Sequence, residues 1–428
     1  MDINYLIKCL KINRYIQYNS TLYIIYSLLE NEYQTGLYLS CDRTKPDKTI
    51  FNLICDQISN NLNLVKLSIF NNWFSHDDLM IIEQLLKNNK TITNLNLGCN
   101  NLGDKELILL TDILKANTNL TNLNLQGCFN NKNPDEVKLF CKALQNNTSL
   151  TKLDLSFNNL DKELISLANI LKMNTSLTNL NLLDCFYNKN PDEVKLFCEA
   201  LQNNTSLTKL NLTHNYLDKE GLISLADVLK INTTLTNLNL QACFYNKNPD
   251  EFKLFYEALQ INTSLTRLNL GRNNLDYKGL ISLANVLKTN TNLTNLNLRC
   301  CFVNNHPDEF KLFCEALQNN TSLTKLNLSH NNLDKELISL ADVLKINNTL
   351  TNLDISGNEI DIEKILYICE ALTINSALTI LKLTNYSCDD KQNNKLLVAA
   401  LQHNTSLTEL IIDTNEDINE DTNEDYEY

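Results

Sequence analysis

The stretch that decides the fold is residues 150–158, Leu-Thr-Lys-Leu-Asp-Leu-Ser-Phe-Asn. Leu153 and Leu155 alternate with Lys152 and Asp154, which gives a short strand one apolar and one polar side. The same phrase, Leu-x-x-Leu-x-Leu with Ile allowed for Leu, starts at positions 64, 92, 120, 150, 177, 207, 235, 265, 293, 323, 350, 378 and 407. Successive starts lie 27 to 30 residues apart, and in the middle of the chain long and short steps alternate, making a super-repeat of 57 or 58 residues. A unit this small cannot bury both its faces alone, so a repeat of this period predicts coils stacked on one continuous leucine core.

Each unit continues into a helix. In the short form, residues 156–171, Leu164, Leu167, Ala168 and Leu171 fall at helical spacing and Asp161 is placed to cap. In the long form, residues 128–144, Asn133 stands at the cap and Pro134 at the first helical position. Asp135 and Glu136 oppose the positive helix end, and Val137, Phe140, Cys141 and Leu144 form the buried stripe. Both helices are expected to stop in the Asn-Asn-Thr or Asn-Thr phrases before the next strand. Parallel strands sit about 4.8 Å apart and helices roughly 10 Å, so such a stack should bend with the sheet inside. Where the short units leave the strand stand Asn158, Asn215, Asn273 and Asn331, able to bond the backbone of the turn and the next coil. The long units put Cys128, Cys185, Cys243 and Cys301 there, compact side chains suited to burial.

This alternation of L-x-x-L-x-L-x-x-N with L-x-x-L-x-L-x-x-C resembles the ribonuclease-inhibitor-like class of leucine-rich repeats over roughly residues 34 to 412. The resemblance implies an α/β fold, a right-handed horseshoe solenoid with a concave parallel sheet and convex helices, an intracellular setting and protein binding on the concave face. The Asn- and Thr-rich face departs from the inhibitor itself. Three regions are expected: a helical cap over residues 1–33, the solenoid over 34–412, and a disordered acidic tail over 413–428. A degenerate first unit starts near Leu37-Tyr38-Leu39, with its helix in residues 49–58.

Charge and cysteine narrow the partners. The formal charge is −13, and residues 413–428 hold eight acidic and no basic residues, which leaves 42 acidic against 37 basic elsewhere. Such a balance gives no footprint for nucleic acid or for an anionic membrane. No run reaches 18 apolar residues, and residues 1–15 show no secretory pattern. Fourteen cysteines in 428 residues, with no C-x-x-C, make neither a disulfide scaffold nor a zinc ribbon. Cys141, Cys198 and Cys314 share one helix slot with Tyr256 and are too widely spaced to pair. The expectation is a monomeric protein of a reducing compartment, cytoplasmic, or in host cytosol if the chain is a microbial effector.

The outward strand positions form the natural binding face. Thr follows the first leucine in almost every unit, and the next position alternates Asn with Lys152, Lys209, Arg267 and Lys325. This basic ladder suits acidic side chains or phosphate, and it also solvates a wide sheet. Just past the strands the residues vary, and Phe157, Arg272 and Arg299 are the preferred anchors there, since aromatic and Arg side chains dominate interfaces. Phe129, Phe186, Phe244 and Phe302 should plug the long loops, with Tyr187 and Tyr245 beside them as edge candidates.

Catalysis has little in its favour. His214 and His330 share a repeat position but stand four coils apart, about 20 Å, and His306 replaces a capping Asn. No phosphate-binding loop, G-x-S-x-G, HExxH or C-x-x-C occurs, so neither cofactor nor metal is expected. The sequence therefore reads as a non-enzymatic scaffold, adaptor or inhibitor binding an unidentified protein. The alternatives are a leucine-rich GTPase-activating protein and a mainly structural repeat.

Overall fold

The computed structural model describes residues 35–39, 48–59, 61–71, 75–129, 133–186, 190–244, 252–302, 307–358, 360–383 and 391–412. The expected cap and acidic tail lie outside these residues, as do Tyr187, Tyr245 and His306. The described residues form alternating short strands and helices in two compact units, the first running to Ala200 and the second from Leu201.

In the first unit the strands are β1 (Gly36–Leu39), β2 (Lys66–Ile69), β3 (Asn94–Asn96), β4 (Asn122–Asn124), β5 (Lys152–Asp154) and β6 (Asn179–Asn181). They pair in parallel, in sequence order, with Leu67, Leu95, Leu123, Leu153 and Leu180 in one row. Its helices are α1 (Lys48–Ser59), α2 (His76–Asn88), α3 (Asp104–Ala116), α4 (Pro134–Asn146), α5 (Leu164–Met173) and α6 (Pro191–Asn203). Leu153 and Leu155 are 2% and 1% exposed, so the alternation that decided the reading does point inward.

The second unit has β7 (Lys209–Asn211), β8 (Asn237–Asn239), β9 (Arg267–Asn269), β10 (Asn295–Asn297), β11 (Lys325–Asn327), β12 (Asn352–Asp354), β13 (Ile380–Lys382) and β14 (Glu409–Ile411). These too are parallel and in sequence order. Between them run α7 (Lys219–Ile231), α8 (Lys253–Ile261), α9 (Tyr277–Thr289), α10 (Pro307–Asn319), α11 (Glu336–Ile346), α12 (Ile362–Ile374) and α13 (Lys391–His403). The fold class is the one the repeat implied, a solenoid of parallel strands and helices.

Helix starts follow the local sequence, with one correction. Asn133 caps α4 by accepting from the Asp135 N–H at 3.1 Å, with Pro134 at the first position. Asp161 does not cap α5: it opens a 3₁₀ turn over Asp161–Glu163, and the helix begins only at Leu164. Asp218 and Asp276 do cap α7 and α9, accepting from Gly221 and Gly279 N–H at 2.8 and 3.0 Å. The difference is one residue. Asp161-Lys162-Glu163-Leu164 lacks the glycine of Asp218-Lys219-Glu220-Gly221-Leu222. The shorter connection winds tighter, at three residues per turn, and Glu163 is drawn into the interior. α11, whose sequence also lacks that glycine, begins late and has no side-chain cap.

Two asparagine ladders and one cysteine row replace the hydrogen bonds that three-residue strands cannot supply. Asn158 Nδ2 donates to Leu125 O and Leu155 O at 2.9 and 2.7 Å, spanning two coils. Cys128, Cys185, Cys243 and Cys301 use Sγ on the carbonyl of the preceding coil, at 2.9 to 3.1 Å. The second ladder sits where the helices end. Asn174 Nδ2 donates to Leu144 O and Asn147 O at 2.7 and 2.9 Å, and its Oδ1 accepts from Ser176 and Leu177 N–H. In the second unit Asn232, Asn262, Asn290, Asn320, Asn347 and Asn375 likewise donate to a leucine carbonyl one coil back. Backbone groups left at helix ends are thereby paired inside the protein.

Candidate recognition face

The outward side of each strand presents two residues, and the second of them bonds the turn that follows. The residue between the last two leucines, Asn or Asp in most coils, accepts with Oδ1 from the N–H two positions on: Asp154 from Ser156 at 2.9 Å, Asn211 from Thr213 at 3.0 Å. Asp154 also accepts from Ser156 Oγ at 2.6 Å and Asn181 Nδ2 at 3.0 Å, while burial pushes its carboxyl above the usual range. The threonines ahead of the strands form a further structural row, with Thr151 Oγ1 donating to Thr121 O and Thr266 Oγ1 to Thr236 O. The Asn- and Thr-rich character of this face thus serves coil-to-coil bonding, and the ladder that opens each strand is left as the variable chemistry.

Lys152 opens β5, flanked in register by Asn122 and Asn179. It lines a groove of about 200 Å³ on the sheet of the first unit, together with Tyr38, Lys66, Asn94 and Asp154. Tyr38 is 72% exposed on β1. Tyr38 and Lys66 were not singled out from the sequence, because their coils match the repeat least well. Their signal lay in the outward positions of Leu37-Tyr38-Leu39 and of the strand that Lys66 opens. Phe157 follows β5 at φ +56°, is 46% exposed, and is fixed by its N–H donating to Leu183 O at 2.8 Å.

In the second unit Lys209, Arg267 and Lys325 open β7, β9 and β11, and Asn237 and Asn295 stand between them in register. They are half-buried, so their stems lie along the sheet. Arg272 takes the same left-handed turn position as Phe157, at φ +57°, and donates its N–H to Arg299 O at 2.7 Å. Arg299 is one residue earlier in its turn and donates its N–H to Asn297 Oδ1 at 2.9 Å. Arg272 and Arg299 are therefore neighbours across coils. His330 joins them: burial, then Arg299 and Arg272, hold its imidazole below the usual histidine range, against an opposing pull from Asp354.

The loop aromatics pack inward. Phe129 meets Phe140 edge-on at 5.4 Å between ring centroids, and Phe244 meets Phe252 at 5.3 Å. Among the described residues no group of three or more His, Cys, Asp or Glu is placed to hold a metal ion, no cysteine is in a disulfide, and no helix is long and apolar enough to cross a membrane.

A family model described as Leucine Rich repeat matches residues 88–108, 146–163, 203–226, 262–284, 319–336 and 347–363. No curated protein matches the sequence. Among solved structures, the leucine-rich repeat-containing protein LegL7 from Legionella pneumophila is 26% identical over 64% of this chain and 87% of its own, with a TM-score of 0.45. Rad7, solved in complex with Elc1 in yeast, is similar at 20% identity over 79% of this chain and 84% of its own, with a TM-score of 0.50. TLR13, solved with the RNA ssRNA13, is similar at 18% identity over 89% of this chain and 49% of its own, with a TM-score of 0.51.

Proposed function

From the leucine-rich-repeat fold of this chain, we propose a non-catalytic recognition module that binds a protein through the outward face of its sheets. The observation that carries this reading is a division of labour. The Asn, Cys and Thr rows repeat and are used by the scaffold, whereas Lys152 and Phe157 in the first unit, and Lys209, Arg267, Arg272, Arg299 and Lys325 in the second, differ from the residues at the same positions of neighbouring coils. Side chains held by a preformed backbone lose little freedom on docking, which favours recognition spread over many contacts. Rad7 was solved in complex with Elc1 and TLR13 with an RNA, so the fold alone leaves the partner class open. A net charge of −13 opposes an RNA backbone, and the local ladder of Lys and Arg on the outward face supports a protein that presents acidic side chains there. Buried reduced thiols suit a cytosolic setting.

The test is affinity capture from cytosol with the parent chain and with Lys152, Lys209, Arg267 and Lys325 all replaced by Gln. A partner held by this face should be retained about tenfold less by the variant, with thermal unfolding unchanged. Undiminished retention would remove the ladder as a binding surface.

A further inference from the structure

Three consecutive turns of the second unit bring together four hydrogen-bonding side chains, two of which have a buried donor that their surroundings do not match. Arg272 follows β9, Arg299 follows β10, and Ser329 and His330 follow β11. The backbone locks these turns side by side: Arg272 N–H donates to Arg299 O at 2.7 Å, Cys300 N–H to Ser329 O at 3.0 Å, and His330 N–H to Ser356 O at 2.8 Å. With parallel strands about 4.8 Å apart, all three turns fall within roughly 10 Å. Ser329 is 1% exposed, and its Oγ has no hydrogen-bond partner among the described residues. The same holds for the buried Nε of Arg299. Donors so placed are ordinarily matched by an acceptor, and two in adjacent coils of one face are unusual.

The charges around them say which acceptor fits. Arg272 and Arg299 supply two fixed cations, and His330 a third group able to become one. The acid that faces His330 is Asp354, and its oxygens already accept from Ser356 N–H at 2.9 Å and Asn327 Nδ2 at 3.4 Å. Guanidinium groups beside hydroxyl and imidazole donors suit a group with several oxygens and negative charge. We propose that the turns after β9, β10 and β11 form an oxyanion site that takes a phosphoryl or carboxylate group carried on a side chain of the protein partner. This rests on the protein-recognition reading above and names the chemistry the partner presents.

Proton linkage follows. Without an anion, burial and the two arginines disfavour the imidazolium of His330, against the pull of Asp354. A bound oxyanion offsets those cations and favours the imidazolium, so binding takes up a proton and tightens as pH falls.

Sulfate is the first probe, because its charge stays constant through the histidine range. Titrated into the full chain by calorimetry, it should bind saturably, and several-fold more tightly at about pH 6 than at about pH 8. Arg299→Gln should weaken it at least about tenfold. Ser329→Ala is the second variant, readable even if Arg299→Gln melts early, and should weaken binding with the fold intact. Competition by O-phosphoserine against glutamate then assigns the group: a preference for phosphoserine makes it phosphoryl, and parity makes it carboxylate. Absence of saturable binding at the lower pH, or equal sulfate affinity in both variants and parent, overturns the site. If the four-cation ladder variant loses its partner while sulfate does not bind, the oxyanion site alone fails. If sulfate binds as described but no face variant changes capture, the protein-recognition reading fails and the anion site remains.

Discussion

The Oδ1 of Asn158 accepts the backbone N–H of Phe129 at 2.6 Å, so a residue leaving β5 holds the loop that leaves β4. The same amide donates to Leu125 O, Leu155 O and Ser156 O. One buried side chain therefore pairs backbone groups of two coils at once. The relationship recurs from Asn273 to Phe244 and from Asn331 to Phe302. It runs from an asparagine coil back to a cysteine coil, where Cys Sγ reaches the carbonyl one coil earlier.

Asn158→Ala removes all of these bonds and leaves the buried Phe129 N–H unpaired, while Leu125 O, Leu155 O and Ser156 O keep Cys128 N–H, Cys185 Sγ and Gly127 N–H. One orphaned buried N–H together with the weakened pairing of the carbonyls should cost roughly 2 to 3 kcal/mol. Urea unfolding should show a lower midpoint at an unchanged slope. A loss under about 0.5 kcal/mol would mean that the loop finds other partners.

Tyr256 fills the helix slot that holds Cys141, Cys198 and Cys314 elsewhere in the chain. It is 2% exposed, and its hydroxyl has no hydrogen-bond partner among the described residues. Burial drives its phenol well above the ordinary value. Tyr256→Phe removes the unmet hydroxyl and keeps the ring contacts with Phe252 and Phe255. The variant should be more stable by about 1 kcal/mol in chemical denaturation. A destabilised variant would show that the hydroxyl is hydrogen-bonded after all.

Much of this was legible in one unit of sequence. The inward alternation of Leu153 and Leu155 and the stripe Val137, Phe140, Cys141 and Leu144 follow from periodicity alone, and all are buried. So does the Asn133 cap, since its partner is two residues away. What periodicity did not show depends on the neighbouring coil. Asn174 reads as a plain loop residue after a helix, but its amide reaches carbonyls 27 and 30 residues back. The failed cap at Asp161 reflects a single absent glycine, visible only when units are aligned against Gly221 and Gly279. Lys152 and Arg267 could be placed on the outward face from alternation, while the meeting of Arg272, Arg299 and His330 required the register of three turns.

The buried thiols set an alkaline limit. Burial pushes Cys128, Cys141 and Cys301 up to about 12 from an ordinary 9.0. Below pH 9 the thiols are protonated in folded and unfolded chains alike and do not bias folding. Above it the unfolded chain loses these protons and the folded one keeps them, so stability falls between about pH 9 and about pH 12. Each such thiol contributes a slope of about 1.4 kcal/mol per pH unit in that window. Cys141→Ala should be less stable than the parent at neutral pH through lost packing. Its deficit should narrow by about that slope above pH 9. A gap that stays constant across the window would show that Cys141 is not shielded.

His330 and Gly357 test the packing behind the proposed anion site. Gly357 has φ +65°, and a Cβ there would collide with Nδ1, Cε1 and Cγ of the imidazole. Gly357→Ala therefore carries two penalties: about 1 to 2 kcal/mol for a left-handed alanine, and displacement of the ring. Removing the ring first separates them. In a His330→Ala background, Gly357→Ala should cost only the backbone part, so a double-mutant cycle in urea should return a coupling of at least about 0.5 kcal/mol. Equal costs in both backgrounds would place the imidazole away from Gly357. In that event His330 would stand differently toward Arg299, and the sulfate affinity of Gly357→Ala should match the parent. With the ring where it is described, the same substitution weakens sulfate without touching an arginine.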